Sequence, residues 1–129
     1  MRTIDYNGHV PEEGTMTHDE IVAEIQARAE RRGILTHYCQ RAIRCVGTPG
    51  MPDVFLVGPF GAAWLEVKTP GDHLDPGQTT WKYTLGAAGQ EHYVVGPLDQ
   101  GESGLVDALL DRLAGLEVTR RPGYITTTA

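Results

Sequence analysis

The stretch Asp53-Val-Phe-Leu-Val-Gly-Pro-Phe-Gly-Ala-Ala-Trp-Leu-Glu-Val-Lys68 constrains this chain more than any other, because two β-prone runs flank a Gly-Pro-Phe-Gly turn. Val, Phe, Leu and Trp suit a pleated, half-buried surface, so the spacing predicts strands over 53–57 and 62–68 joined as a hairpin. Side chains alternate along a strand, which puts Trp64, Glu66 and Lys68 on one face and Ala63, Leu65 and Val67 on the other. Asp53 begins the first strand directly after Gly50-Met-Pro, a turn whose restricted backbone fixes where the carboxylate points. The hairpin can therefore bring Asp53 beside Glu66.

The elements around this hairpin are legible by period and by caps. Thr17 with Glu20 three residues on predicts a helix start, and Ile21, Val22, Ile25 and Ala29 recur at helical spacing until Gly33. Residues 34–38 read as a strand, and 39–52 as a long connection holding Gly47, Pro49, Gly50 and Pro52. Asp75 and Pro76 predict the cap and first residue of a second helix carrying Trp81, Leu85 and Ala88 on one face, closed by Gly89. Residues 91–95 read as a strand, and Leu105, Val106, Leu109, Leu110 and Leu113 as a last amphipathic helix. The order helix, three strands, helix, strand, helix predicts a mixed α/β fold. A small central mixed sheet is flanked by helices, the fourth strand pairing in parallel through a crossover. Residues 1–16 read as an irregular lead-in, 17–116 as one domain and 117–129 as a flexible tail.

At 129 residues, 40% apolar and 22% charged, the composition is that of one soluble globular domain. No apolar run reaches the ~20 residues of a membrane span and no signal-peptide pattern opens the chain, so a cytoplasmic protein is expected. Cys39 and Cys45 are too few for a disulfide framework, and with His37 they make a poor zinc constellation. The net charge of −6 argues against general affinity for nucleic acid. Its distribution does not. Residues 28–82 hold seven basic against five acidic side chains, a net of +2, and the rest four against twelve, a net of −8. A basic surface can thus surround the hairpin of an acidic protein.

Two carboxylates and a lysine at one end of a sheet suit phosphodiester hydrolysis. Asp53 and Glu66 supply hard oxygen ligands for Mg²⁺ or Mn²⁺, which polarises a phosphate and lowers the pKa of bound water. Lys68 can orient that water, move its proton or stabilise the leaving oxygen. A solvated surface pair of Glu66 and Lys68 is the plain alternative for these residues taken alone.

The wider pattern resembles the PD-(D/E)xK nuclease superfamily and, within it, the virus-type replication-repair nuclease (VRR-NUC) family. The matching residues are Gly50-Met-Pro-Asp53, Trp64-Leu-Glu-Val-Lys68, Leu74-Asp-Pro-Gly-Gln78 with Trp81, and Gly89, and the resemblance spans residues 18–97. It implies an αβββαβ restriction-endonuclease-like core, here with an added C-terminal helix. It implies a metal-dependent DNA endonuclease, in stand-alone form similar to homodimeric phage enzymes that cut branched DNA such as Holliday junctions, and hence acting in a host cytoplasm.

Carried across, Asp53, Glu66 and the backbone carbonyl of Val67 would hold one or two Mg²⁺ or Mn²⁺ ions, Lys68 would be the catalytic lysine, and Gln78 would steady the site or the phosphate. Gln78 can equally close a capping box on Asp75. The family's acid on the first helix falls on Glu20 by counting, with Glu24 as the alternative closer to the apolar stripe. For DNA contacts the expected residues are Arg41, Arg44, His73 and Lys82, with no membrane and no small-molecule cofactor involved. His37 and His92 are expected as surface or packing residues, and Trp64 and Trp81 as core. Other readings are a related nuclease acting on flaps, ends or duplex sites, and a catalytically silent DNA-binding module.

Overall fold

Two capping boxes set where the first two helices begin. In the computed structural model, which describes residues 16–38, 47–99 and 104–116 together with 118–121 and 124–127, Thr17 Oγ1 accepts the Glu20 N–H at 3.2 Å. The Glu20 carboxylate accepts the Thr17 N–H in return at 2.9 Å, opening α1 over His18–Arg31. Asp75 and Gln78 do the same for α2, Pro76–Ala87, with bonds of 2.8 and 3.0 Å. Each box satisfies two backbone donors that a helix start leaves without partners. The third helix, α3, spans Leu105–Ala114 and ends on Gly115 in the left-handed region.

The strands are β1 (Leu35–Tyr38), β2 (Val54–Gly58), β3 (Gly61–Val67) and β4 (Glu91–Val95). They form one sheet in the order β1-β2-β3-β4. The first three are antiparallel, with Val54 opposite Leu65 and Phe55 opposite Trp64. β4 joins β3 in parallel, Glu66 opposite Val94 and Val67 opposite Val95, after α2 has carried the chain across. The expected mixed α/β class and the parallel fourth strand are both present.

Alternation decides what each face of the sheet buries. Val54, Leu56, Ala63, Leu65, Val67 and Val95 pack with Ile21, Ile25 and Ala29 of α1 and Val106, Leu109, Leu110 and Leu113 of α3 as one core. Each large aliphatic side chain in it contributes about 1.5–3 kcal/mol by leaving water, so this layer holds the sheet to its helices. The other face carries Phe55, Trp64 and Glu66. There the Phe55 and Trp64 rings stack at 4.0 Å and Trp81 of α2 lies 6.2 Å from Trp64. Trp64 and Trp81 are half-buried, and each donates its indole N–H, to Gln90 and to the Thr48 carbonyl.

Three expectations meet differences. The segment 117–129, read as a tail without elements, contains β5 (Val118–Arg121) paired antiparallel with β6 (Tyr124–Thr127) as a separate two-stranded sheet. Val118, Thr119, Ile125 and Thr126 favour strands, and a scarcity of core anchors does not prevent two short runs from pairing with each other. Residues 1–15 of the lead-in, and Cys39, Arg41, Arg44 and Cys45 of the connection, lie outside the described residues. The strand limits shift by one residue, β2 ending on Gly58 and β3 starting on Gly61, because the two glycines themselves pair. Among the described residues no helix is long and apolar enough to cross a membrane.

Candidate active site

The turn before β2 is pressed against the start of α2. A Cβ on Gly50 would lie 2.2 Å from the Gly77 carbonyl carbon, and one on Gly77 would lie 2.9 Å from the Pro49 oxygen. Gly50 also has φ +98, a conformation that side chains disfavour. Only glycine at both positions allows the two backbones to touch, and the bond from Trp81 to the Thr48 carbonyl, at 3.2 Å, closes the junction. Asp53 and Gln78 are thereby carried on two pieces of chain fixed to each other.

Asp53 is anchored through a single oxygen. Its Oδ2 accepts the Val67 N–H at 2.7 Å and faces His18 Nε2 at 3.3 Å. Burial alone would raise this carboxyl, but His18, Glu66 and the Val67 N–H hold it below the usual aspartate range. His18 is raised in turn, chiefly by its bond to Asp53 and further by Asp19, whose Oδ1 lies 3.2 Å from Nδ1.

Glu66 is 2% exposed. Its Oε2 accepts the Gln78 amide at 3.4 Å, and its Oε1 is buried with no hydrogen-bond partner among the described residues. Burial first, and then the adjacent Asp53, push the Glu66 carboxyl up to about 9, against a smaller opposing pull from Lys68. At neutral pH the two acids therefore hold one proton between them, on the Glu66 side, because two like charges so close cannot both ionise cheaply away from water. Lys68 is half-buried and near enough to act on both Glu66 and Asp72. Its backbone N–H bonds to the Val95 carbonyl at 2.9 Å, continuing the β3/β4 ladder to the site.

The fold thus gathers Asp53, Glu66, Val67, Lys68 and Gln78. The Gln78 oxygen closes the capping box, and its amide nitrogen donates to Glu66 Oε2. Glu20 lies exposed and spends its carboxylate on the Thr17 N–H; Glu24 accepts from Arg28 at 2.8 Å. His73 is exposed in the loop, and Lys82 is exposed with its ammonium 5.8 Å from the Tyr83 ring.

Two features escaped the sequence. His18, not an acid, is the α1 side chain that reaches Asp53; its only sequence signal is its place directly after the capping Thr17. Arg28 of α1 and Arg32 just beyond it are also occupied. Arg28 bonds Asp107 at 2.6 Å, and Arg32 bonds Asp107 at 3.1 Å and Asp111 at 2.7 Å, so neither contributes an open basic surface.

Among the described residues no three of His, Cys, Asp or Glu already stand in a metal-binding arrangement. The Asp53 and Glu66 pair nevertheless suits a divalent ion. It sets the hard oxygens of buried Glu66 and half-buried Asp53 together, with no donor among the described residues on Glu66 Oε1, and a cation there would compete with the proton that the raised Glu66 carboxyl favours.

Neither a family model nor a curated protein matches the sequence. A solved structure does, a "VRR_NUC domain" that superposes with a TM-score of 0.51 at 22% identity, over 74% of this chain and 91% of that one. The fold is that of a VRR_NUC domain. In a VRR_NUC fold reached at so low an identity, the chemistry must be argued from this chain's own side chains.

Proposed function

We propose that this chain is a metal-dependent DNA nuclease of the VRR-NUC kind, with Asp53, Glu66 and the Val67 carbonyl as metal ligands and Lys68 as the catalytic lysine. The observation that carries the reading is Glu66, a buried acid beside a second acid, with one oxygen left unpartnered. A purely structural carboxylate at that depth is expected to be hydrogen-bonded or paired with a cation.

A bound Mg²⁺ or Mn²⁺ ion would polarise the scissile phosphate and make a bound water more acidic. The chain's own contribution is orientation and proton handling. Asp53 is held by Val67 N–H and His18, and Glu66 by the Gln78 amide, so both carboxylates are fixed before any ligand arrives. Lys68, beside Glu66, steadies the attacking water or the charge that grows on the leaving oxygen. His73 and Lys82, both exposed, together with Arg41 and Arg44, contact DNA in this reading.

Branched DNA, such as a four-way junction, is the substrate this reading favours, and a homodimer the assembly, because paired symmetrical cuts require two active sites. The support for both is the resemblance of its motifs. Cleavage of linear, flapped, forked and four-way DNA with Mg²⁺, Mn²⁺, Ca²⁺ or EDTA tests all of this. Cutting is expected with Mg²⁺ or Mn²⁺, binding with little turnover in Ca²⁺, and none in EDTA. Undiminished cutting in EDTA would overturn the mechanism, and best cutting of flaps or ends would replace the junction.

A further inference from the structure

The α1 helix begins at the candidate site, yet neither of its glutamates near that end is available there. Glu20 is committed to the Thr17 N–H and Glu24 to Arg28. The side chain between the cap and the sheet is His18, flanked by two carboxylates, with Asp19 Oδ1 3.2 Å from Nδ1 and Asp53 Oδ2 3.3 Å from Nε2. Asp19 fixes the ring from one edge, and the other edge meets the same Asp53 oxygen that accepts the Val67 N–H at 2.7 Å.

We propose that His18 is the positioning residue of the metal site, resting on the nuclease reading: its Nε2, 3.3 Å from Asp53 Oδ2, and the Val67 N–H on the same oxygen together fix that carboxylate before an ion would bind. Two donors on one oxygen remove the carboxylate's freedom to rotate, which otherwise is lost only when the ion binds. The helix thus serves the site through a 3.3 Å ion-pair contact to a ligand, with an imidazole where the motif leads one to expect an acid. Partners that orient a ligand in this way govern metal affinity without touching the metal.

The test is Mn²⁺ binding to the full chain without DNA, followed by electron paramagnetic resonance of the free ion, in wild type, Asp53→Asn, His18→Ala, His18→Gln and Glu20→Gln. His18→Ala is expected to weaken Mn²⁺ binding by about 10–100-fold, the usual cost of losing such a partner. His18→Gln sets an amide N–H close to the position of Nε2 and is expected to restore most of the loss, which a merely structural role for the ring would not produce. Glu20→Gln should leave affinity unchanged.

Melting temperatures are measured alongside, and if His18→Ala melts early, His18→Leu, an apolar side chain without a donor, takes its place. Wild-type affinity in the donor-free variant overturns the proposal, and so does failure of His18→Gln to restore binding. Wild-type affinity in Asp53→Asn instead overturns the nuclease reading itself, so the two failures are told apart.

Discussion

Glu66 and Asp107 are the two buried acids of the described residues, 2% and 5% exposed, and their surroundings are opposite. Asp107 on α3 is met by Arg28 and Arg32 of α1, at 2.6 and 3.1 Å, with Asp111 and Glu24 completing an alternating set of charges. Glu66 is met by a second acid, Asp53, which together with burial pushes its carboxyl up to about 9, and no donor among the described residues reaches its Oε1. The first arrangement ties α3 to α1 and its C-terminal end and gives the buried acid two cations. The second sets a carboxyl where a cation would be expected, and that contrast is what makes Glu66 the better candidate for chemistry.

The largest expected effect separates the two regions directly. Asp53→Asn and Glu66→Gln should each lower metal affinity and cleavage by on the order of 1,000-fold, a magnitude typical of losing a group that acts in the reaction, with melting temperature kept or raised. Asp107→Asn should leave metal affinity alone and cost about 3 kcal/mol of stability, because Arg28 and Arg32 would lose their shared partner. Denaturant unfolding and metal titration on the three variants decide it, and a loss of metal binding in Asp107→Asn would erase the distinction.

Next in size is Lys68→Ala. It leaves both carboxylates in place, so metal should still bind while turnover falls on the order of 100-fold. Single-turnover kinetics at saturating metal give the comparison; an equal drop in metal affinity would make Lys68 part of the metal-binding arrangement rather than of the proton and charge handling.

Gly50→Ala probes how the candidate site is held. The new methyl would meet Gly77 backbone at 2.2 Å and strain φ, with a cost of about 2 kcal/mol. Asp53 would shift relative to Gln78, and cleavage should fall by about 10-fold from misplacement. Equal stability and activity in this variant would mean that the turn and α2 are not coupled.

The smallest expected effect is in pH. Glu66 is raised in the folded chain to about 9 from an ordinary carboxyl value, and His18 is raised as well. A raised group favours the folded state fully below its unfolded pKa and loses that contribution as pH climbs through the folded value. Metal-free protein should therefore melt progressively lower from about pH 5 to about pH 9, while Asp53, which is lowered, acts oppositely at more acidic pH. Mg²⁺ affinity should rise over the same window as the proton on Glu66 becomes easier to displace. Glu66→Gln should flatten the melting profile, whereas Asp107→Asn should not.

How much of this could be read beforehand depends on distance along the chain. Thr17 with Glu20 and Asp75 with Gln78 are separated by three residues, and both boxes were legible because their geometry is local. The hairpin placing Glu66 opposite to Leu65 and Val67 followed from alternation. The pairing of Arg28 with Asp107 spans 79 positions and takes that arginine out of the basic surface that counting charges within a window suggests. His18 was missed for the same reason: its meaning comes from Asp53, across the fold, while the acid sought on α1 was placed by counting. The close approach of Gly50 and Gly77 is likewise a fact about two backbones, which neither glycine announces alone.

The Val67 N–H, which donates to Asp53 Oδ2 at 2.7 Å instead of to a neighbouring strand, has a practical consequence. An amide proton held by a carboxylate resonates downfield of its neighbours, and its position follows the charge on the oxygen it touches. Labelled with ¹⁵N, this one backbone group becomes a spectroscopic gauge of Asp53, moving when the carboxylate is protonated or draws in a diamagnetic ion such as Mg²⁺, with no DNA and no turnover needed.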